Sequence, residues 1–70
     1  MKLLWKVRKE MFVPNMTQEE IAAAISDETV RVTRADLNMV MNGKDTTGPR
    51  FNRIRVRLDR FLTEKEKEVR

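Results

Sequence analysis

Two four-residue patterns, each a threonine with an acid three positions later, constrain the fold of this chain more than any other feature. They are Thr17-Gln18-Glu19-Glu20 and Thr33-Arg34-Ala35-Asp36. In such a capping box the hydroxyl accepts from the backbone N–H three residues on, and the acid accepts from the threonine's own N–H. The pattern marks the first turn of a helix. The sequence therefore predicts two short helices, near 17–25 and 33–42, joined by a polar connection at 26–31.

Apolar spacing gives each of these helices one inward face. The inward positions are Ile21, Ala22 and Ile25 in the first helix and Leu37, Val40 and Met41 in the second. The small residues Ala22, Ala23 and Ala24 allow another helix to approach closely. Asn42-Gly43 is expected to end the second helix, because both residues tolerate a left-handed backbone conformation.

The flanking segments predict two further helices. Leu4, Val7 and Met11 form one stripe of a helix near 2–12, which Pro14 ends. After Gly48-Pro49, five apolar residues at helical spacing predict a helix near 50–63: Phe51, Ile54, Leu58, Phe61 and Leu62. A rival interpretation is a strand at 53–58, where apolar residues alternate with arginines. The helix is preferred because it uses all five apolar residues and no hairpin partner is visible.

Together these patterns predict a single all-α domain at 1–62 and a charged tail at 63–70 that frays. The predicted core consists of Leu4, Val7, Ile21, Ile25, Leu37, Val40, Ile54, Leu58 and Phe61. The methionines at 11, 16 and 41 are interpreted as core fillers. A chain of 70 residues has room for one small core, so oligomerisation is a natural expectation.

Composition narrows the function. The formal charge is +4, from 15 basic and 11 acidic residues, and arginines are concentrated between Lys44 and Arg60, which favours an anionic partner. The chain has no cysteine and no histidine. We therefore expect no metal site, no cofactor and no enzyme activity. The apolar run at 1–5 is too short for a signal peptide or a membrane span, so a cytoplasmic protein without membrane contact is expected.

The outward face of the helix at 33–42 has the chemistry of a base-reading surface. Ala35, Asn38, Met39 and Asn42 share that side, and Arg34 lies at its N-terminal flank. Arginine binds guanine in bidentate fashion, asparagine binds adenine, and alanine or methionine contacts the thymine methyl group. No bulky acid lies on this face to repel a polyanion.

This region resembles the Cro and phage-repressor type of helix-turn-helix protein, also called the xenobiotic-response-element family. The resemblance rests on Met16-Thr17-Gln18-Glu19-Glu20-Ile21-Ala22, Ile25, Val32-Thr33, Leu37 and Asn42-Gly43-Lys44, and it spans about 3–62. It implies a lambda-repressor-like bundle of four or five helices and sequence-specific binding of double-stranded DNA, with 33–42 as the recognition helix in the major groove. Many small members are repressors from phages and mobile elements, and many are homodimers.

The resemblance also implies residue roles. Arg34, Ala35 and Met39 match base-contacting positions, with Asn38 beside them. Gln18 matches a glutamine that contacts phosphate and braces the recognition helix, and Asn42 and Lys44 match phosphate-contacting positions beyond that helix. Thr33, Arg50 and Arg53 are further expected phosphate contacts.

One departure concerns the connection at 26–31. It is about five residues longer than the tight turn of the motif and lacks its glycine. Such a link is compatible with an extension of either helix or with a bulge toward the DNA backbone. An alternative function therefore stays open, a protein-interaction module such as an antirepressor that binds a partner repressor.

The expected homodimer has two candidate surfaces. One is Trp5 with Leu3 on the first helix, and the other is Val56 with Phe61 or Leu62 on the last. The last helix is favoured slightly, because Val56 lies off the core stripe among arginines. Trp5 lies off its own stripe as well, and covering the edge of the core is an equal alternative for it.

Overall fold

The computed structural model describes residues 4–43 and 47–69, and within those ranges it is all-helical. The helices are α1 (Leu4–Phe12), α2 (Gln18–Ile25), α3 (Arg34–Met41) and α4 (Pro49–Glu68). The prediction of an all-α chain is confirmed, and the rival strand at 53–58 is wrong because those residues lie inside α4. None of these helices has the length and apolar character needed to cross a membrane.

Helices α2 and α3 begin where their capping boxes predict. The Thr17 hydroxyl accepts from the Glu20 N–H at 3.1 Å, and the Glu20 carboxylate accepts from the Thr17 N–H at 2.8 Å. Thr33 and Asp36 repeat both bonds, each at 3.1 Å. Beyond the end of α3, Gly43 has a φ of 69°, a left-handed conformation that suits glycine.

Helix α4 is the element against which the other three pack. Its core face consists of Ile54, Leu58 and Leu62, each 0 % exposed. The helix continues to Glu68, so the predicted end of this helix near residue 63 is wrong. The extension follows from contacts on both sides of Leu62: Lys65 lies 5.5 Å from the centroid of the Phe61 ring and pairs with Glu68 at 3.4 Å.

Helix α1 packs through a different face from the predicted one. Leu4 and Val7 were expected in the core and Met11 as a filler, but they are 49 %, 51 % and 63 % exposed. The opposite face packs instead, with Trp5 partly buried against the core and Arg8 paired with Asp59 of α4 at 2.7 Å. This ion pair and the bulk of the Trp5 ring orient α1, so the apolar stripe is left in solvent.

The connection between α2 and α3 is a folded, non-helical segment. It extends neither helix, and each of the two is eight residues long. Val30 and Val32 are buried, together with Val13 after α1, and the sequence patterns missed all three. The Ser26 hydroxyl accepts from the Val32 N–H at 2.8 Å, and the Asp27 carboxylate accepts from the N–H groups of Thr29 and Val30. These bonds satisfy backbone N–H groups that lie outside any helix. The connection can therefore be buried as part of the core.

Burial excludes one of the proposed dimer contacts. Leu62 is 0 % exposed and so cannot meet a second chain, whereas Phe61, which was predicted to lie in the core, is only partly buried against it. The partial burial of Trp5 supports its role at the edge of the core. Leu3 lies outside the described residues. Val56 remains 51 % exposed on α4.

Candidate nucleic-acid interface

Helix α3 is held by its inward face and open on the other. Leu37 is 0 %, Met41 1 % and Val40 3 % exposed, and they pack between α2, α4 and α1. The outward face carries the predicted base-contacting residues Arg34, Ala35, Asn38 and Met39, all of them exposed. The structure therefore brings these four residues together on one solvent-facing surface.

The acidic residue of α3, Asp36, is neutralised by Arg50 of α4. Asp36 accepts a hydrogen bond from Arg50 Nη2 at 2.6 Å, and the same nitrogen donates to the Arg31 carbonyl at 2.9 Å. The hydrogen bond from Arg50, followed by those from the Thr33 N–H and hydroxyl, lowers the pKa of Asp36 to about 2. The helix that is expected to face a polyanion therefore presents no unpaired carboxylate.

Arg50 consequently has a role that the sequence did not reveal. Predicted as a phosphate contact, it also joins the first turn of α3 to the start of α4 through Asp36 and the Arg31 carbonyl. Its side chain remains 50 % exposed, so these bonds leave part of the guanidinium accessible to an anion. Arg31, which the sequence analysis also missed, is exposed beside it. The sequence signal that could have identified Arg31 is its position as a basic residue just before the Thr33 cap.

Two asparagines on the outward face of α3 are joined by a side-chain hydrogen bond. The Asn42 side-chain amide donates to the Asn38 side-chain oxygen at 2.8 Å, one helical turn away. This bond uses the Asn38 side-chain oxygen as an acceptor, and the Asn38 NH₂ group remains as the donor of that side chain. Asn42 is half-buried, which places it at the edge of the surface.

The other predicted phosphate contacts are distributed more widely. Gln18 is the first residue of α2 and is half-buried, and Thr33 is exposed but its hydroxyl caps α3. Arg53 is exposed on α4, where it lines a groove with the 26–30 link. Lys44 lies outside the described residues. The structure therefore groups Thr33 and Arg50 with the outward face of α3 and places Arg53 on a separate groove.

A pH dependence of stability follows from the Asp36–Arg50 pair. Asp36 ionises more readily in the folded chain, at about 2 against 3.8, so its contribution to stability is present above about pH 4 and is lost as the pH falls through 2. Because Arg50 is half exposed, we expect a contribution of about 1 kcal/mol. Urea unfolding at several pH values measures it.

The matched variant is Asp36→Asn, which cannot ionise. We expect it to be less stable than the parent near neutral pH and to lose less stability on acidification. Part of the acid sensitivity is expected to remain, because the Val30 N–H and then Arg57 also lower the pKa of Asp27. Equal acid sensitivity in parent and variant would show that Asp36 is not held by Arg50 in solution.

The site is thus an exposed face of a short helix. Within 4–43 and 47–69, no group of three or more acids, histidines or cysteines lies together in a way that could hold a metal ion. The outward face of α3 offers hydrogen-bond donors, two apolar contacts and a neighbouring guanidinium. Comparison of the chain with protein-family models, with curated proteins and with solved structures gives no match.

Proposed function

We propose that this protein is a sequence-specific, double-stranded DNA-binding transcriptional regulator of the Cro type that inserts α3 into the major groove. The observation that carries the proposal is the outward face of α3, which has exposed Arg34, Asn38 and Met39 while its acid is neutralised by Arg50. A face with base-reading side chains and no uncompensated negative charge suits approach to DNA.

The residues divide into two roles. Arg34 and Asn38 lie in the first half of α3, the part that approaches base edges in helix-turn-helix docking, so they read guanine and adenine. Ala35 and Met39 give apolar contact to thymine methyl groups. The positive end of the helix dipole and the accessible part of Arg50 bind backbone phosphates, with Gln18, Thr33, Asn42, Lys44 and Arg53 as further phosphate contacts.

A second candidate function is a protein-interaction module, such as an antirepressor that binds a partner repressor through the same surface. The observation in its favour is the 37 % exposure of Met39 at the centre of the outward face, because methionines are frequent in protein-binding surfaces. Binding to a protein through Met39 does not require the arginines around α3.

Titration with random-sequence duplex DNA at two salt concentrations separates the two functions. Three cationic phosphate contacts predict that affinity falls roughly 40-fold between 50 and 200 mM salt, because bound counterions are released. Arg50→Ala is expected to weaken all sequences alike and to make the salt slope shallower by about one unit.

The matched control is Lys67→Ala, which removes one positive charge from an exposed position near the far end of α4. It is expected to leave affinity and slope nearly unchanged. An affinity for duplex DNA that does not depend on salt, or no binding at 50 mM salt, would contradict the proposed function and favour the protein-interaction module.

A further inference from the structure

One hydroxyl group joins the end of α2 to the start of α3. Ser26, the residue after α2, donates to the Ala22 carbonyl at 2.7 Å and accepts from the Val32 N–H at 2.8 Å. Ala22 lies in the last turn of α2, and Val32 directly precedes Thr33, the cap of α3. The Ser26 side chain therefore fixes the two helix ends relative to each other across the whole connection.

Arg57 of α4 holds the first part of the same connection. Its guanidinium donates to the Ile25 carbonyl at 3.2 Å and pairs with the Asp27 carboxylate at 2.7 Å. The other oxygen of that carboxylate accepts from the N–H groups of Thr29 and Val30 at 2.8 and 2.9 Å. The planar fork of arginine reaches both of its acceptors at once. One side chain thus joins the end of α2, the connection and α4.

The reading of base edges requires that α3 be held accurately. Side chains that form a binding site must lie within about 0.5 Å of their productive geometry. A tight turn limits the movement of one helix against the other by its shortness. The longer connection in this chain gains its rigidity from the bonds of Ser26 and Arg57 and from the burial of Val30 and Val32.

We propose that Ser26 and Arg57 are positioning residues for base reading by α3, and that they act through the connection without contact to DNA. The proposal rests on the proposed DNA binding. Only Thr33 separates Val32 from Arg34, so a shift of Val32 moves the side chain that reads guanine. Ser26 and Arg57 are not among the proposed phosphate contacts, so they affect the preference for sequence and not the number of bound phosphates.

Two variants of Ser26 test its hydroxyl. Ser26→Ala removes the hydroxyl without a change in charge, and Ser26→Thr keeps it on an extended backbone, with φ −81° and ψ 149°, that suits a β-branched residue. We expect Ser26→Ala to bind the duplex enriched from a random-sequence pool about tenfold more weakly, as for the loss of one base contact. Affinity for random-sequence duplex and its salt dependence should be retained, because no charge is lost. Ser26→Thr should keep the parent's ratio of the two affinities.

The matched pair for Arg57 is Arg57→Gln and Arg60→Gln, which remove the same charge from neighbouring turns of α4. Arg57 bonds to the connection, whereas Arg60 is exposed to solvent. Arg57→Gln should lower the ratio of enriched-duplex to random-duplex affinity about tenfold. Arg60→Gln should leave that ratio within about twofold of the parent, because a surface charge acts on all sequences alike.

Amide hydrogen exchange of the free proteins tests the connection without DNA. Ser26→Ala takes the acceptor from the Val32 N–H, so this amide should exchange about tenfold faster than in the parent or in Ser26→Thr. Circular dichroism of each variant checks that the helices persist, and binding is measured at a temperature at which all variants are folded. Unchanged exchange of Val32 would show that the hydroxyl does not hold the connection in solution and would overturn the proposal.

The binding results separate the positioning role from the proposed function. A parent that prefers one duplex, with the same affinity ratio in Ser26→Ala, would overturn the positioning role alone, even if the variant were less stable. A parent without sequence preference would overturn the proposed function and the positioning role with it. If Arg57→Gln weakened all duplexes alike and made the salt slope shallower, Arg57 would be a phosphate contact and the proposal would be wrong for that residue.

Discussion

Leu37→Ala is expected to lower the free energy of unfolding by about 2–5 kcal/mol, as truncation of a buried leucine does. Leu37 is 0 % exposed and lies on the inward face of α3, where the helix meets the rest of the core. The cost combines the lost transfer of the side chain from water with the cavity that remains. Chemical or thermal unfolding followed by circular dichroism measures it.

The matched control is Leu4→Ala, the same substitution on α1. Because Leu4 is 49 % exposed, its truncation is expected to cost less than about 1 kcal/mol. The sequence pattern had placed both leucines in the core, so the pair also tests the orientation of α1. Equal losses for the two variants would show that α1 packs through its Leu4–Val7–Met11 stripe after all.

Arg34→Ala is expected to lower the affinity for a preferred DNA site by about 1–3 kcal/mol and to relax the preference at one base position. Arg34 is the first residue of α3 and is exposed, and it is not needed for either capping bond of that helix. The variant should therefore fold normally. Competition binding with sites altered one base pair at a time measures both effects.

Arg31→Ala is the control for charge, because Arg31 is exposed beside the same helix terminus but precedes α3. Arg31 is not one of the proposed phosphate contacts, so we expect the loss of its charge to weaken binding to all sequences slightly and similarly, without a change in preference. Unchanged affinity and preference in Arg34→Ala would indicate that the folded connection between α2 and α3 holds α3 away from the major groove of DNA.

The features that could be predicted from sequence are those encoded by near neighbours. The capping boxes of Thr17 and Thr33, the glycine after α3 and the Ile54–Leu58 pair of α4 each act within a few residues. The outward face of α3 follows from the same local period, once its inward face is identified. Local signals therefore defined the helices at the centre of the candidate site.

The features that could not be predicted depend on contacts between distant residues. The apolar period of α1 indicated the Leu4 stripe, but the Arg8–Asp59 pair with α4 and the partial burial of Trp5 orient that helix differently. Val30 and Val32 show no period, and they are buried because Ser26 and Asp27 satisfy the backbone around them. The link between Arg50 and Asp36 likewise joins separate helices.

Selection of bound duplexes from a random-sequence pool is the most direct test of the claim that the outward face of α3 reads DNA. The account predicts enrichment of a defined motif, and selection with Arg34→Ala should lose the preference at one position of that motif while the rest persists. Bound pools that show no sequence enrichment, or an identical motif for the parent and for Arg34→Ala, would contradict it.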